Sequence, residues 1–249
     1  MSSNNARTAI VTGASKGLGA GIARTLARTG AAVVVNYRED ATGAERVVAD
    51  ITAEGGRAVA VQADVARGGD VRRLFDRARE EYGPVDVLVN NAAVAVFMPL
   101  SDITEKEFQR EMTTNVLGTI LTTQALAAQD DIGAASVVNV STAGTLTHPL
   151  YSSLYVASKS AVNAFTIAAA KELGPRGIRV NAIMPGPSDT EGTRAMGFVG
   201  SAQEAQAIAD TPLGRTGTPD DYGPLVAFLA SDDARWITGD VILASGGMR

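Results

Sequence analysis

Short runs that are apolar at consecutive positions recur along the chain, and amphipathic stretches fill the gaps between them. The runs are TAIVT (8–12), AAVVVN (31–36), AVAVQ (58–62), VDVLVN (85–90), SVVNVS (136–141), RVNAIM (179–184) and VILA (241–244). A strand with one wet face alternates apolar and polar residues. A run that is apolar throughout suits a strand covered on both faces, as in parallel sheets. The intervening stretches carry helical periodicity, for example at 41–54, 69–82 and 104–128. Strand and helix in alternation predict an α/β fold, a doubly wound parallel sheet of about seven strands with helices on both faces. Residues 186–218 break the rhythm, with scattered Gly and Pro and one short helical piece near 201–210. A long irregular segment inside a compact domain is commonly functional or mobile, and the plain alternative is a surface excursion. No linker or low-complexity run divides the 249 residues, so a single domain over 1–249 is expected, with 186–218 as a segment on the substrate side.

Composition narrows the chemistry. Hydrophobic residues make up 45% and charged residues 20%, with a formal net charge of −5. That charge argues against a nucleic-acid partner, which needs excess Lys and Arg. No apolar run approaches the ~20 residues of a membrane span. The start, MSSNNARTAIVTG, has no basic region followed by a long apolar one, so no secretory leader is expected and a cytoplasmic location is. The chain has no cysteine and one histidine, His148. Disulfides, thiol chemistry and Cys/His metal clusters are therefore outside its means.

Two local patterns carry the candidate chemistry. IVTGASKGLGAGIA follows the first strand and opens the first helix. Gly13, Gly17 and Gly19 allow a tight turn and close backbone approach, and a helix start favours an anionic pyrophosphate. The spacing is G-x-x-x-G-x-G rather than G-x-G-x-x-G, and such glycines alone can be purely structural. Farther on, LYSSLYVASKSAV places Tyr155 four residues before Lys159, on one helix face. An ammonium beside a phenol lowers the phenol's pKa, which would supply an acid–base group without histidine. By itself a Tyr-x-x-x-Lys is more often an ordinary helix face, Ser141 a strand-end residue, and Asn115 a helix-interior polar group.

Taken together and in order, these motifs resemble the short-chain dehydrogenase/reductase family. Thr12–Gly13, Gly17 and Gly19 resemble its T-G-x-x-x-G-x-G turn, NNAA (90–93) its N-N-A-G stretch, and PGPSDT (185–190) its P-G-x-x-x-T segment. Asn115, Ser141, Tyr155 and Lys159 fall in its Asn-Ser-Tyr-Lys order. The resemblance covers almost the whole chain, departing at Ala93, where the family usually has glycine. It implies a Rossmann-type fold and hydride transfer between a nicotinamide and a carbonyl or secondary alcohol. Tyr155 would exchange the proton, Ser141 would hold the substrate oxygen, and Asn115 would shape its helix so that a backbone carbonyl holds a water leading to Lys159.

The cofactor and substrate expectations follow from residues near those motifs. An NAD site usually has an acid about 20 residues past the glycine turn, and here Asn36 stands there. Arg38 follows, and Lys16 lies in the turn. Two cations suit a 2′-phosphate, which favours NADP(H) and leaves NAD(H) as the alternative, while Arg38 could equally be a solvated partner of Glu39 or Asp40. Ser15, Leu18, Asp64, Val65, Asn91, Ala92, Pro185, Gly186 and Thr190 complete the expected nucleotide contacts. Val94, Val96, Phe97, His148, Leu150, Tyr151, Met184, Met196, Phe198 and Val199 suggest a partly apolar pocket, with residues after Thr190 as a lid. Tyr151 is read as pocket wall, because it is spaced to meet Tyr155 rather than Lys159. His148 is read as lining or plain loop, since no carboxylate lies near it in sequence. A small ketone or alcohol is the expected substrate. The alternatives are a 3-oxoacyl carrier-protein reductase, which Asp130 and Asp131 argue against, a glucose dehydrogenase, and a non-catalytic redox sensor. The small-residue helix after Tyr155, apolar nearly all round, is expected to be buried on more than one side, and with the family habit this predicts a homotetramer.

Overall fold

The computed structural model describes residues 7–249; the reading of the extreme N-terminus lies largely outside them. Seven parallel strands form one sheet: β1 (Thr8–Val11), β2 (Ala32–Tyr37), β3 (Arg57–Gln62), β4 (Val87–Asn90), β5 (Ala135–Val140), β6 (Ile178–Pro185) and β7 (Val241–Ala244). All seven predicted runs are strands, displaced at their ends by one or two residues. Their order is β3-β2-β1-β4-β5-β6-β7. The direction of travel across the sheet reverses between β1 and β4, so the carboxyl ends of these two strands flank a crevice. That is where open α/β sheets bind ligands.

The helices are α1 (Gly17–Arg28), α2 (Ala41–Ala53), α3 (Gly68–Tyr82), α4 (Glu105–Met112), α5 (Gly118–Ala127), α6 (Gly144–Thr147), α7 (Ser153–Leu173), α8 (Glu191–Ala195), α9 (Ala202–Asp210) and α10 (Pro219–Ala230). Helices α1, α2 and α10 cover one face, where Ile22, Leu26, Val47, Ile51, Val226 and Leu229 meet the alternate strand residues Val11, Val33, Val35 and Val89. Helices α3, α5 and α7 cover the other, with Leu74, Phe75, Leu126 and Ala169 on Ile10, Val34, Leu88, Val137 and Val180. This two-sided burial accounts for the unbroken apolar runs. Each fully buried Val, Leu or Ile contributes about 1.5–3 kcal/mol.

The predicted helix over 104–128 divides in two. Between α4 and α5, residues Thr113–Leu117 form a wider π-helical turn. Such turns accommodate one extra residue and are frequent at functional sites. The two central strands are pinned to their helices by a buried polar chain. Asn90 Nδ2 donates to Asn139 Oδ1 (2.9 Å), Thr122 Oγ1 donates to Asn90 Oδ1 (2.6 Å), and Asn139 Nδ2 donates to Thr166 Oγ1 (2.8 Å). Inside a low-dielectric core such a fully satisfied chain fixes one arrangement.

The segment 186–218 is more ordered than its composition suggests. Its two ends meet through a bridge between Ser188 and Gly217, with Asp189 N donating to Gly217 O and Gly217 N to Pro187 O. It carries α9 where a helical piece is expected, and also α8. None of the residues of α9 is buried.

Candidate active site

The turn after β1 is built for close approach. Gly13 has φ +60°, and a Cβ there would stand 2.8 Å from the Ala92 Cα; a Cβ on Gly19 would stand 2.5 Å from Asn91 Nδ2. Thr12 Oγ1 accepts from Asn91 N (2.9 Å) and Ala92 N (3.0 Å), and Asn91 Nδ2 donates to Thr12 O and Gly13 O, both 2.9 Å. Asn91 and Ala92 thereby lock the end of β4 to the turn, and the Asn91 side chain holds the turn rather than reaching outward.

The start of α1 fits an anion. Its N-cap, Lys16, makes no side-chain cap, and its first turn holds no acidic residue. The Gly17 N–H donates instead to the Glu191 carboxylate, 2.9 Å away on α8. An oxyanion thus already sits on the helix start, as the dipole and free N–H groups favour. Ser15 is buried beside this turn, while Lys16 is exposed and Leu18 half-buried. Thr190 caps α8 and lies opposite Gly17. Pro185 and Gly186 end β6, with Gly186 N bonded to Ala244 O.

Asn36 requires a correction. It is 1% exposed, and its side chain bonds Gly13 N (3.2 Å), Val61 O (3.3 Å) and Ala63 O (3.1 Å). It braces the glycine turn against β3 and cannot face a ribose phosphate. Arg38 is exposed and paired with Glu39 at 2.8 Å, the solvated arrangement weighed above. It remains, with Lys16, the cation at this end of the cleft. Asp64 accepts from Ala66 N (3.0 Å), and Val65 is buried against Gly118, so both close the loop after β3.

The four ordered residues converge beyond β4 and β5. Ser141, just past β5, is 4% exposed and donates to Lys159 O at 3.3 Å. Asn115, in the π-turn, bonds Val94 through both its N–H and its carbonyl (2.8 Å each) and donates to Ser158 Oγ (2.9 Å). Its own carbonyl accepts from Thr119 Oγ1. Tyr155 and Lys159 share the inner face of α7, but the ammonium is not turned to the phenol: Lys159 Nζ donates to Val140 O at 2.7 Å. Burial lowers the Lys159 pKa to about 8, opposed by the negative charge of Glu111. Burial raises that of Tyr155 to about 12, against the pull of the adjacent Thr142 hydroxyl and with a further push from Glu111. The expected lowering of the phenol by Lys159 is absent in the chain alone, where the ammonium is bonded to Val140 O and burial dominates.

The wall beside Tyr155 is apolar and open. The Phe97 and Tyr155 rings lie 5.8 Å apart, inclined by 53°. Phe97, Leu150, Tyr151 and Met196 are exposed, while Val94, Val96, Phe198 and Val199 are half-buried. Met98 N donates to Tyr151 O at 2.8 Å, tying the two loops of the wall together. His148 and Tyr151 both have left-handed backbones, φ +47° and +62°, and His148 is exposed at the end of α6. Met184 is not part of this surface: it is buried, with its sulfur toward Thr145 and Asn163. Asp131, which precedes β5, lies at the opposite edge of the sheet and pairs with Arg79. The acidity of that stretch therefore says nothing about the cleft. Three groups at the site have no counterpart in the motifs: Thr142, Glu191 and Glu111. Only Glu111 left a trace in the sequence, as a carboxylate in the inward phase of α4, one turn before Asn115.

A parallel sheet with a phosphate-type turn at its switch point, beside a cleft holding a half-buried Tyr155 and a buried Lys159, defines a dinucleotide-binding oxidoreductase. The comparisons agree. Residues 13–249 match the family model described as enoyl-(acyl carrier protein) reductase. An uncharacterized oxidoreductase of Methylorubrum extorquens is 50% identical over 249 residues, spanning the whole of both chains. A hydroxynaphthalene reductase-like protein of Metarhizium majus is 37% identical over 97% of this chain and 94% of its own. Among solved structures, a short chain dehydrogenase from Burkholderia cenocepacia in complex with NADP superposes with TM-score 0.90, at 37% identity and 97% coverage of each chain. A blue fluorescent protein from a metagenomic library, in complex with NADPH, gives TM-score 0.89 at 35% identity, covering 98% of each. The chain belongs to the short-chain dehydrogenase/reductase family.

Proposed function

We propose that the protein is an NADP(H)-dependent carbonyl reductase, working in reverse as a secondary-alcohol dehydrogenase, with Tyr155 as its acid–base group. The observation that carries this is the convergence of Ser141, Tyr155, Lys159 and Asn115 beyond β4 and β5, beside the glycine-rich start of α1. NADP(H) is favoured because Lys16, at the start of α1, and Arg38, past the end of β2, put two cations at this end of the cleft, and because relatives with solved structures hold NADP and NADPH. Gly13, Gly17 and Gly19 would admit the pyrophosphate backbone, Thr190 and Pro185–Gly186 would border the nicotinamide, and Lys16 with Arg38 would meet the 2′-phosphate. When bound, the reduced nicotinamide supplies hydride to the substrate carbon.

The chain's own residues do the rest. The Ser141 hydroxyl turns from Lys159 O to the substrate oxygen and holds it in line. The Tyr155 O–H breaks as a new O–H forms on that oxygen, and the high phenol pKa keeps the proton in place until the oxygen becomes basic. Lys159, fixed by Val140 O, places a positive charge one turn along the same helix face as the phenol. The exposed Phe97, Leu150, Tyr151 and Met196 favour a bulky apolar ketone over a sugar, and a homotetramer in the cytoplasm is the expected setting. The decisive experiment measures NADPH and NADH oxidation with a ketone panel that includes a 3-oxoacyl thioester and a sugar lactone. Wild type should prefer NADPH and an apolar ketone, and Tyr155→Phe should lose at least a thousandfold in kcat while retaining nucleotide affinity. Undiminished turnover in Tyr155→Phe would remove the assignment.

A further inference from the structure

Helix α4 starts at its Thr104 cap and ends in the π-turn. Residues Glu105 to Arg110 are exposed or half-exposed, yet Glu111 is 0% exposed. Neither of its carboxylate oxygens has a hydrogen-bond partner. A buried carboxyl left without partners is rare and costly unless it serves a purpose. Glu111 lies one helical turn before Asn115, beneath the wall segment that Asn115 holds at Val94.

Charged and titratable groups from three elements act on it. From α4 come Glu107 and Arg110; from the wall, the Val96 N–H, which favours the charged form without aligning as a hydrogen bond; from α7, Lys159. Glu111 in turn raises the pKa of both Lys159 and Tyr155. It is thus the one carboxylate, among the described residues, whose field reaches both members of the proton-handling pair. Burial lifts its own pKa to about 7. Glu107, one turn earlier and 23% exposed at its side chain, is paired with Arg110.

We infer that Glu111, one turn before the asparagine that bonds Ser158 beside Lys159, is a positioning residue whose buried carboxyl acts through its charge on Lys159 and Tyr155, setting the charge of the lysine as the reaction runs. This rests on Tyr155 being the acid–base group. In reduction, Tyr155 passes its proton to the substrate oxygen. The phenolate regains a proton from water at the open cleft, and a charged Glu111, touching neither group, holds Lys159 as the ammonium while the phenolate lasts. In oxidation each move reverses. A buried amine and carboxyl that share one proton avoid the isolated buried charge that either alone would impose.

The test uses Glu111→Gln, which keeps the shape and removes the titration. Lys159 is followed by NMR of ζ-15N-labelled lysine in the nucleotide-free protein, and kcat/KM is followed against pH with NADP+ and the best alcohol. Wild type should show Lys159 titrating in two coupled steps. Glu111→Gln should show one step, displaced to lower pH by about one unit, a tenfold change in protonation ratio, and the pH–rate profile should move with it. Glu111→Asp should restore the coupled titration. A Lys159 titration that is the same in wild type and Glu111→Gln overturns the inference, as does Glu111→Asp behaving like Glu111→Gln. The NMR readout needs no turnover, so it stands apart from failure of the catalytic reading, which would show instead as full activity in Tyr155→Phe.

Discussion

At the scale of single residues, burial rather than pairing sets the ionisation of the site. Glu111 has its pKa raised from 4.5 to about 7, so the folded chain holds a proton that the unfolded chain releases between those values. The associated stabilisation is complete below about pH 4.5 and is lost as pH rises through 7, amounting to ~3 kcal/mol. Lys159 behaves with the opposite sign. Its folded pKa falls from 10.5 to about 8, so burying it costs most below pH 8, and that cost fades toward pH 10.5. Glu111→Gln should therefore be more stable than the parent by ~2 kcal/mol at pH 8, a difference that shrinks toward pH 5. Urea unfolding across that range checks this; two parallel stability curves would contradict it. The left-handed backbones of His148 and Tyr151 add a second residue-level feature. Each costs of order 1 kcal/mol and is tolerated where a surrounding loop, here tied at Met98 N, holds it.

At the scale of elements, the glycine turn and the α1 start act as one unit with the end of β4. Gly19→Ala forces a methyl against Asn91 Nδ2 and the Gly13 carbonyl, 2.5 and 2.7 Å from the added carbon. Both atoms belong to the hydrogen bonds that join turn to strand. The variant should lose nucleotide binding by at least a hundredfold in Kd, read by quenching of protein fluorescence or by calorimetry, and should melt several degrees lower. The strands of this fold were legible because each is apolar at every position, and the glycine turn because its spacing has few other uses. The division of 104–128 was not, since Thr-Thr-Asn-Val-Leu contains neither Pro nor Gly to mark a break. Asn36 was misplaced because counting residues from the turn finds the end of β2 but not the face its side chain takes; the face turned inward belongs to Asn36, and Arg38 lies beyond the strand. The i, i+4 spacing of Tyr155 and Lys159 placed both on one helix face, yet spacing alone says nothing of where the ammonium finds its acceptor.

At the scale of the whole molecule, α7 covers the sheet with one face only. Ala157, Ala164, Ile167 and Ala168 stay exposed on its outer side, near-neighbours in kind to Phe108 on α4 and Leu117 in the π-turn. Burial on a second side, expected from its composition, is not met within one chain. Small residues flanked by large apolar ones suit a second copy of the same surface, as an isologous contact requires. Replacing Ile167 and Phe108 with Arg should reduce the particle mass in light scattering while circular dichroism stays unchanged; an unaltered mass would place the assembly contact elsewhere. The extra residue wound into Thr113–Leu117 bears on how this chain tolerates change in length. Deleting Val116 would let α4 and α5 fuse into one regular rod whose two flanks keep their phase, because the wide turn already absorbs the surplus residue. Glu111 would stay underneath the wall, so that a single lost codon would be taken up within the turn around Asn115 and leave the rest of the interior as it is.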